Sequence, residues 1–353
     1  MDSGFKAPAA HLFLICAIIF YEFSLHHSFH SVQFVQTGEM QKIKLGISSC
    51  LLGEKVRYDG THQRDAYIVE TMGKYFEWVP VCPEVEYGLP VPREAMRLKG
   101  TPDYARLVTR KTGIDHTEGM REWAERKLDE LEKEPLSGFI FKARSPSSGL
   151  YGVKVYGPSG SVYRSGMGIF GSAFVRRFPL IPVEDDGRLH DPELRENFIE
   201  RVFVKARWQE FMLEPSAAGL VDFHTRHKLL IMAHSPEHYS RLGRIVAKAG
   251  ERKTHELHAE YLSSLMEGLS LIATTRKNTN VLHHIMGYFK KNLSAAEKQE
   301  LLELFGDYHR GLVPLIAPIV LVNHFVRVFR EPYLERQVYL NPHPIELMLR
   351  NHV

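Results

Sequence analysis

Two cysteines, Cys50 and Cys82, each follow closely on a strand-like apolar run, Ile43 to Ile47 and Phe76 to Val81. The second loop, Val81-Cys-Pro-Glu-Val-Glu-Tyr-Gly-Leu-Pro-Val-Pro-Arg93, also places Glu84 and Glu86 beside Cys82. A third polar loop, Lys142-Ala-Arg-Ser-Pro-Ser-Ser-Gly149, follows the run Phe139 to Phe141. Thiolates are ligands for soft metals, and a nearby carboxylate can move protons. Cysteines delivered by separate strand ends suit a metal centre assembled by the fold; they do not make a short zinc loop, because no Cys-x-x-Cys pair exists. The plainer alternative makes both cysteines small buried hydrophobes.

Elements must carry these loops to one place. Ile43 to Ile47 reads as a buried strand, Phe76 to Val81 and Gly138 to Phe141 as the second and third strands, and Leu180 to Val183 as a fourth. Helical spacing falls between them: after a cap at Asp65, from Thr117 to Glu134 with Thr117 as cap and Pro135 as stop, and over Ser165 to Phe178. Strands alternating with helices predict a parallel sheet whose ligands bind outside the strands' carboxyl ends. The expected fold is a three-layer α/β parallel-sheet domain over residues 40–186, a linking helix within 187–221, and an all-α helical domain over 222–353. Asp191-Pro192 opens the linking helix, and Ser294 with Glu297 forms a capping box before Leu301.

Composition sets the class. A chain of 353 residues with 44% hydrophobic and 25% charged residues is globular, long enough for two cores, and its net charge of +3 is nearly balanced. Three cysteines give no even disulfide framework, so a cytoplasmic setting with thiol or metal chemistry is expected. Residues 1–39 differ from the rest: an apolar run from Leu12 to Phe23 is broken by Glu22 and leads into a histidine-rich stretch. Met40 stands just before the first strand, so this segment reads as an appendage or an upstream mis-start, with a membrane anchor disfavoured.

Three ordered motifs resemble the TudS-like thiouracil desulfidase family: Ile47-Ser-Ser-Cys-Leu-Leu-Gly53 with Arg57-Tyr-Asp-Gly60, Val81-Cys-Pro-Glu-Val with Gly88-Leu-Pro-Val-Pro-Arg93, and Arg144-Ser-Pro-Ser-x-Gly149. His224-Thr-Arg-His-Lys228, Met232-Ala-His234 and the stretch from Tyr339 to Arg350 resemble the YbgA-type domain. The pairing is similar to the RudS-like fused family, implicated in removing sulfur from 4-thiouridine in transfer RNA. The resemblance implies a 4Fe-4S cluster on three cysteines, with one iron free to take a thiocarbonyl sulfur. It also implies that Glu84 is the acid/base and that Ser145 supplies a hydroxyl orienting substrate or water. Arg57 and Arg93 either contact an anionic substrate or brace the loops.

The chain departs from the family at the third ligand. Where the motif has cysteine, this sequence has Ser148, a harder donor that deprotonates far less readily. Cys50 and Cys82 remain as ligands, and neither Cys16 nor His62 is a good substitute. An engineered knockout, a natural homologue with a weakened or absent cluster, and an alkoxide ligand all remain open.

The helical part carries about four more basic than acidic residues from Pro215 onward. Arg226, Lys228, Arg276 and Lys277 are its candidate RNA contacts, against the plainer reading of solvated helix faces. Its histidines lack a Glu-flanked zincin pattern and read as core or surface residues. The expected activity is desulfurisation of a thiolated uracil, with thiolated transfer RNA or a thiouracil-type small molecule as partner, and neither DNA nor membrane. A cluster-less RNA-binding or regulatory protein and a desulfidase of free thiouracil are the alternatives.

Overall fold

The computed structural model describes residues 42–250 and 254–352. The expectations for residues 1–39, Cys16 included, lie outside them. The described strands are β1 (Ile43–Ser48), β2 (Phe76–Val81), β3 (Met96–Lys99), β4 (Arg106–Thr109), β5 (Gly138–Phe141), β6 (Val153–Tyr156), β7 (Val162–Gly166) and β8 (Val183–Asp185). One sheet runs β2-β1-β5-β8 and is parallel throughout. β1 and β5 are buried along nearly their whole length, which is why they read as unbroken apolar runs.

A second sheet, β4-β3-β6-β7, was not expected. Its strands are short and partly exposed, and Arg97, Lys99, Lys154 and Arg164 interrupt any apolar run. For the same reason the helix expected over Ser165 to Phe178 is shorter: Val162–Gly166 is strand, and the helix spans only Ile169–Arg177. The fourth strand begins at Val183, later than expected, because Pro179 and Pro182 have no N–H to give a ladder.

Helices α1 (Pro83–Glu86), α2 (Thr117–Leu131), α3 (Ile169–Arg177) and α4 (Pro192–Phe211) complete the first part. Thr117 is not the cap of α2: the Asp115 carboxylate accepts its N–H at 2.9 Å, while the Thr117 hydroxyl accepts the Leu107 N–H at 2.8 Å. Asp65 does cap, accepting the Ile68 N–H at 3.0 Å, although the segment it opens is a π turn (Tyr67–Thr71) and a 3-10 turn (Met72–Lys74).

Three layers result. Phe170 and Phe174 of α3 pack on Phe139 at 5.9 and 4.8 Å, with Trp123 of α2 behind Phe170 at 5.4 Å. Across the sheet, Phe203 of α4 meets Phe76 at 5.6 Å. The opposite side of α4 enters the helical core, where Trp208 stacks on Tyr261 at 5.5 Å. Because both sides of α4 are buried, it shows no single apolar stripe.

The remaining helices are α5 (Ala217–His234), α6 (Pro236–Val246), α7 (Thr254–Ser270), α8 (Thr275–Tyr288), α9 (Ala295–His309), α10 (Ile316–Phe329) and α11 (Pro332–Glu335). Ser216, Ser235, Thr274 and Ser294 cap α5, α6, α8 and α9, the last through the expected capping box. No helix among the described residues is long and apolar enough to cross a membrane.

The C-terminal segment is pinned inside. Buried Arg350 donates to Glu200 at 2.8 Å and to the Tyr339 carbonyl at 2.7 Å, and His234 lies 3.1 Å from the other Glu200 oxygen. Against the cost of burial, His234 and Arg350 hold the Glu200 carboxyl well below the usual carboxylate range. The same segment meets the α/β part where the Tyr67 hydroxyl donates to the Leu347 carbonyl at 3.1 Å. Arg350→Ala leaves Glu200 buried without its main cation, so denaturant unfolding should show a loss of about 3–5 kcal/mol.

Candidate active site

Parallel pairing puts the carboxyl ends of β2, β1 and β5 on one edge, with β1 in the middle. Chain order reverses about β1, and the loops leaving on either side frame a crevice. Cys50 lies in the 3-10 turn Ser49–Leu52 after β1, closed by Gly53 in the left-handed region at φ 101°. Cys82 precedes α1; its N–H donates to Glu86 at 2.7 Å, and Lys127 holds Glu86 at 2.9 Å. Glu86 is thus an anchor of the loop.

The third loop lies against the start of α3. The Phe170 N–H donates to the Ser147 carbonyl, and the Gly168 N–H to the Gly149 carbonyl, both at 2.7 Å. A Cβ on Gly168 would stand 2.5 Å from the backbone of Ser147 and Ser148. Gly168→Ala should therefore displace the loop and cost about 1–3 kcal/mol in denaturant unfolding.

Cys50, Cys82, Ser148, Glu84, Ser145, Arg57 and Arg93 all line one cleft of about 280 Å³. The sequence-derived site of the α/β part is thus gathered in one place. Glu84 Oε2 lies 3.6 Å from Cys82 Sγ and 3.7 Å from the Arg93 guanidinium. Its Oε1 accepts the Ser147 hydroxyl at 2.5 Å. The Arg93 side chain is 6% exposed, and its Nη1 is buried without a hydrogen-bond partner among the described residues, a donor left for an oxygen in the cleft. Arg57 sits 3.9 Å from Asp59. The Ser145 hydroxyl, expected to face substrate, is bonded inward to Ser147 at 2.8 Å.

Several lining residues were not singled out from sequence: Tyr58, Arg110, Lys142 and Arg144. Lys142 is held at 2.5 Å by Asp186. Arg110 and Arg144 are exposed, and their guanidinium groups make no hydrogen bond or ion pair among the described residues. Arg144 adopts φ 60°, a strained conformation for a residue with a side chain. Its place in the Arg-Ser-Pro-Ser motif was a usable signal, whereas Arg110 follows β4 in the unforeseen sheet and gave none.

The helical candidates are dispersed. Lys277 donates to the carbonyls of His234 and Ile272 at 2.7 and 3.0 Å, bracing the α5–α8 junction. Arg226 pairs with Asp222 at 2.9 Å and Lys228 lies 4.7 Å above the Tyr333 ring, which leaves Arg276 as the exposed cation of the four.

The residues fit an iron–sulfur cluster at two corners. Cys50 and Cys82 are each 8% exposed on the wall of the cleft. Burial pushes their thiols up to about 11 and about 12, so a bound cation would have to stabilise the thiolates. At the third corner Ser148 offers a hydroxyl, and no three His, Cys, Asp or Glu side chains among the described residues form a metal-holding group. Two thiols and one hydroxyl on a shared wall are one thiolate fewer than a three-cysteine cluster site requires.

The fold and site define a class, the open parallel α/β proteins with a candidate site of two thiols and a carboxylate at the switch point of the sheet. Comparison with known proteins narrows it. Residues 45–186 match the family described as 2-thiouracil desulfurase, and residues 228–344 match the one described as a protein of unknown function, DUF1722. An Escherichia coli K12 protein described as uncharacterized protein YbgA is 34% identical over 134 residues, 38% of this chain and 79% of its own length. A solved structure titled as the [4Fe-4S]-dependent thiouracil desulfidase TudS is 30% identical, covering 44% of this chain and 96% of that one, with a TM-score of 0.35. The chain belongs to the family that joins a thiouracil-desulfurase domain to a YbgA-type domain.

Proposed function

We propose that this chain removes sulfur from a thiolated uracil, presented as 4-thiouridine in transfer RNA, to give uridine and sulfide. The observation that carries the reading is the single cleft holding Cys50, Cys82, Ser148 and Glu84 at adjacent strand ends. Cys50 and Cys82 would hold a 4Fe-4S cluster with Ser148 as a weak third ligand. When bound, such a cluster supplies a soft Lewis acid for the thiocarbonyl sulfur. Water replaces sulfur at the ring carbon without net redox change. In this reading Glu84 takes the proton of that water and Arg93 Nη1, buried without a partner among the described residues, donates to a ring oxygen. The reading sets the reaction in the cytoplasm, where transfer RNA is.

The rim favours RNA over a free base. Arg110 and Arg144 offer uncompensated charge to phosphates, and Tyr58, 45% exposed beside Arg57, offers a ring on which a base can stack. The test compares thiolated transfer RNA with free thiouracil as sources of sulfide, alongside the salt dependence of RNA affinity. The Arg110→Ala/Arg144→Ala pair should flatten the log–log slope by about 1.4–1.8. Lys277→Ala should leave it unchanged. Equal use of free thiouracil with an unaltered slope would assign the enzyme to a small molecule. Because of Ser148, a second reading stands beside this one: a regulatory protein that binds thiolated RNA without releasing sulfide.

A further inference from the structure

Ser147 does not line the cleft, is fully buried, and has no role in the chemistry described above. Its surroundings nevertheless fix the direction of the protons that link Ser145 to Glu84. Ser145 Oγ accepts two backbone amides, the N–H of Ser147 at 3.3 Å and that of Ser148 at 3.2 Å. A hydroxyl oxygen has two lone pairs and one proton. With both lone pairs occupied, the Ser145 proton is the one left for the 2.8 Å contact with Ser147 Oγ. Ser147 then directs its own proton at Glu84 Oε1, 2.5 Å away.

The chain runs one way, from Ser145 through Ser147 to Glu84, and ends on an oxygen that accepts. Glu84 Oε2 is left on the cleft side, between Cys82 Sγ and Arg93. We propose that Ser147 is the positioning residue of this site: it clamps Glu84 as a proton acceptor with Oε2 turned to the reacting water. Ser145 acts through Ser147, as the back of the clamp, and has no proton to offer the substrate. The inference rests on the desulfidase reading for its kinetic consequence and on geometry alone for the clamp.

The test is steady-state sulfide release from thiolated transfer RNA, in this chain and in a Ser148→Cys chain, with crystal structures of the variants. Ser147→Ala should lower kcat roughly tenfold to a hundredfold with KM unchanged, since a misplaced base costs about that much. Added to Glu84→Gln it should cost nothing further, because the group it positions is already gone. Ser145→Ala should be milder than Ser147→Ala, as the bond to Glu84 survives. Parental kcat in Ser147→Ala, an equal loss in the Glu84→Gln background, or a Ser145→Ala effect carried by KM would overturn the proposal. Should Ser147→Ala fail to fold, the Ser145→Ala result still decides. If no chain releases sulfide, the desulfidase reading falls by itself. The structures then judge the clamp: a Glu84 carboxylate unmoved in Ser147→Ala refutes it, and a rotated one supports it.

Discussion

Replacing Ser148 by cysteine should raise the iron and acid-labile sulfide retained after anaerobic reconstitution, and raise sulfide release from thiolated RNA by about tenfold or more. The site is already shaped for it. Ser148 is 3% exposed on the wall that also carries Cys50 and Cys82, and its loop is seated on Gly168 and Gly171 by backbone contacts that do not depend on its side chain. The substitution changes one atom, oxygen to sulfur, so the backbone has little to rearrange. A thiol ionises far more readily than a hydroxyl and suits iron better, so the gain is in ligand chemistry rather than in fold. Iron analysis and sulfide assays on the two proteins, prepared together, check it. Equal iron and equal turnover would show that the third loop is not a ligand loop.

Glu84→Gln should reduce turnover by about 10²–10⁴-fold, the usual worth of a general acid or base, while iron content stays at the parental level. The amide keeps the size of the carboxylate and an acceptor for Ser147, but it cannot take a proton. Glu84 has no bond to the loop backbone that the substitution would break, so the melting temperature should move little. A Glu84→Gln protein at parental turnover would move the proton chemistry elsewhere in the cleft.

The candidate site was legible in the sequence because its three loops directly follow β1, β2 and β5, whose apolar and β-branched runs mark them as strands. β1, β2 and β5 coincide with the expected runs to within a residue, and Cys50, Cys82 and the Ser145–Gly149 loop come together as parallel topology requires. What escaped was built from weak signals or long-range pairing. The second sheet consists of four- and five-residue strands studded with charge, so Arg110 at the end of β4 could not be placed. Lys277 resembled an RNA contact in a basic stretch, yet its ammonium is spent on two carbonyls that only the folded chain brings near. The direction of the Ser145–Ser147–Glu84 bonds depends on backbone amides of a turn, which no residue pattern encodes. His234 and His227, expected as core or surface residues, are both buried: His234 pairs with Glu200, and His227 sets Nδ1 on the Phe223 carbonyl.

The proposed desulfurising centre is built on Cys50, Cys82 and Glu84. Its most direct test is a single-turnover assay of the anaerobically reconstituted chain on transfer RNA containing 4-thiouridine, with Cys50→Ala in parallel and both nucleosides and sulfide quantified. The account predicts uridine and sulfide in equal amounts, rising in Ser148→Cys and absent in Cys50→Ala. Sulfide release that survives Cys50→Ala, or an iron-loaded Ser148→Cys chain that releases none, would contradict it.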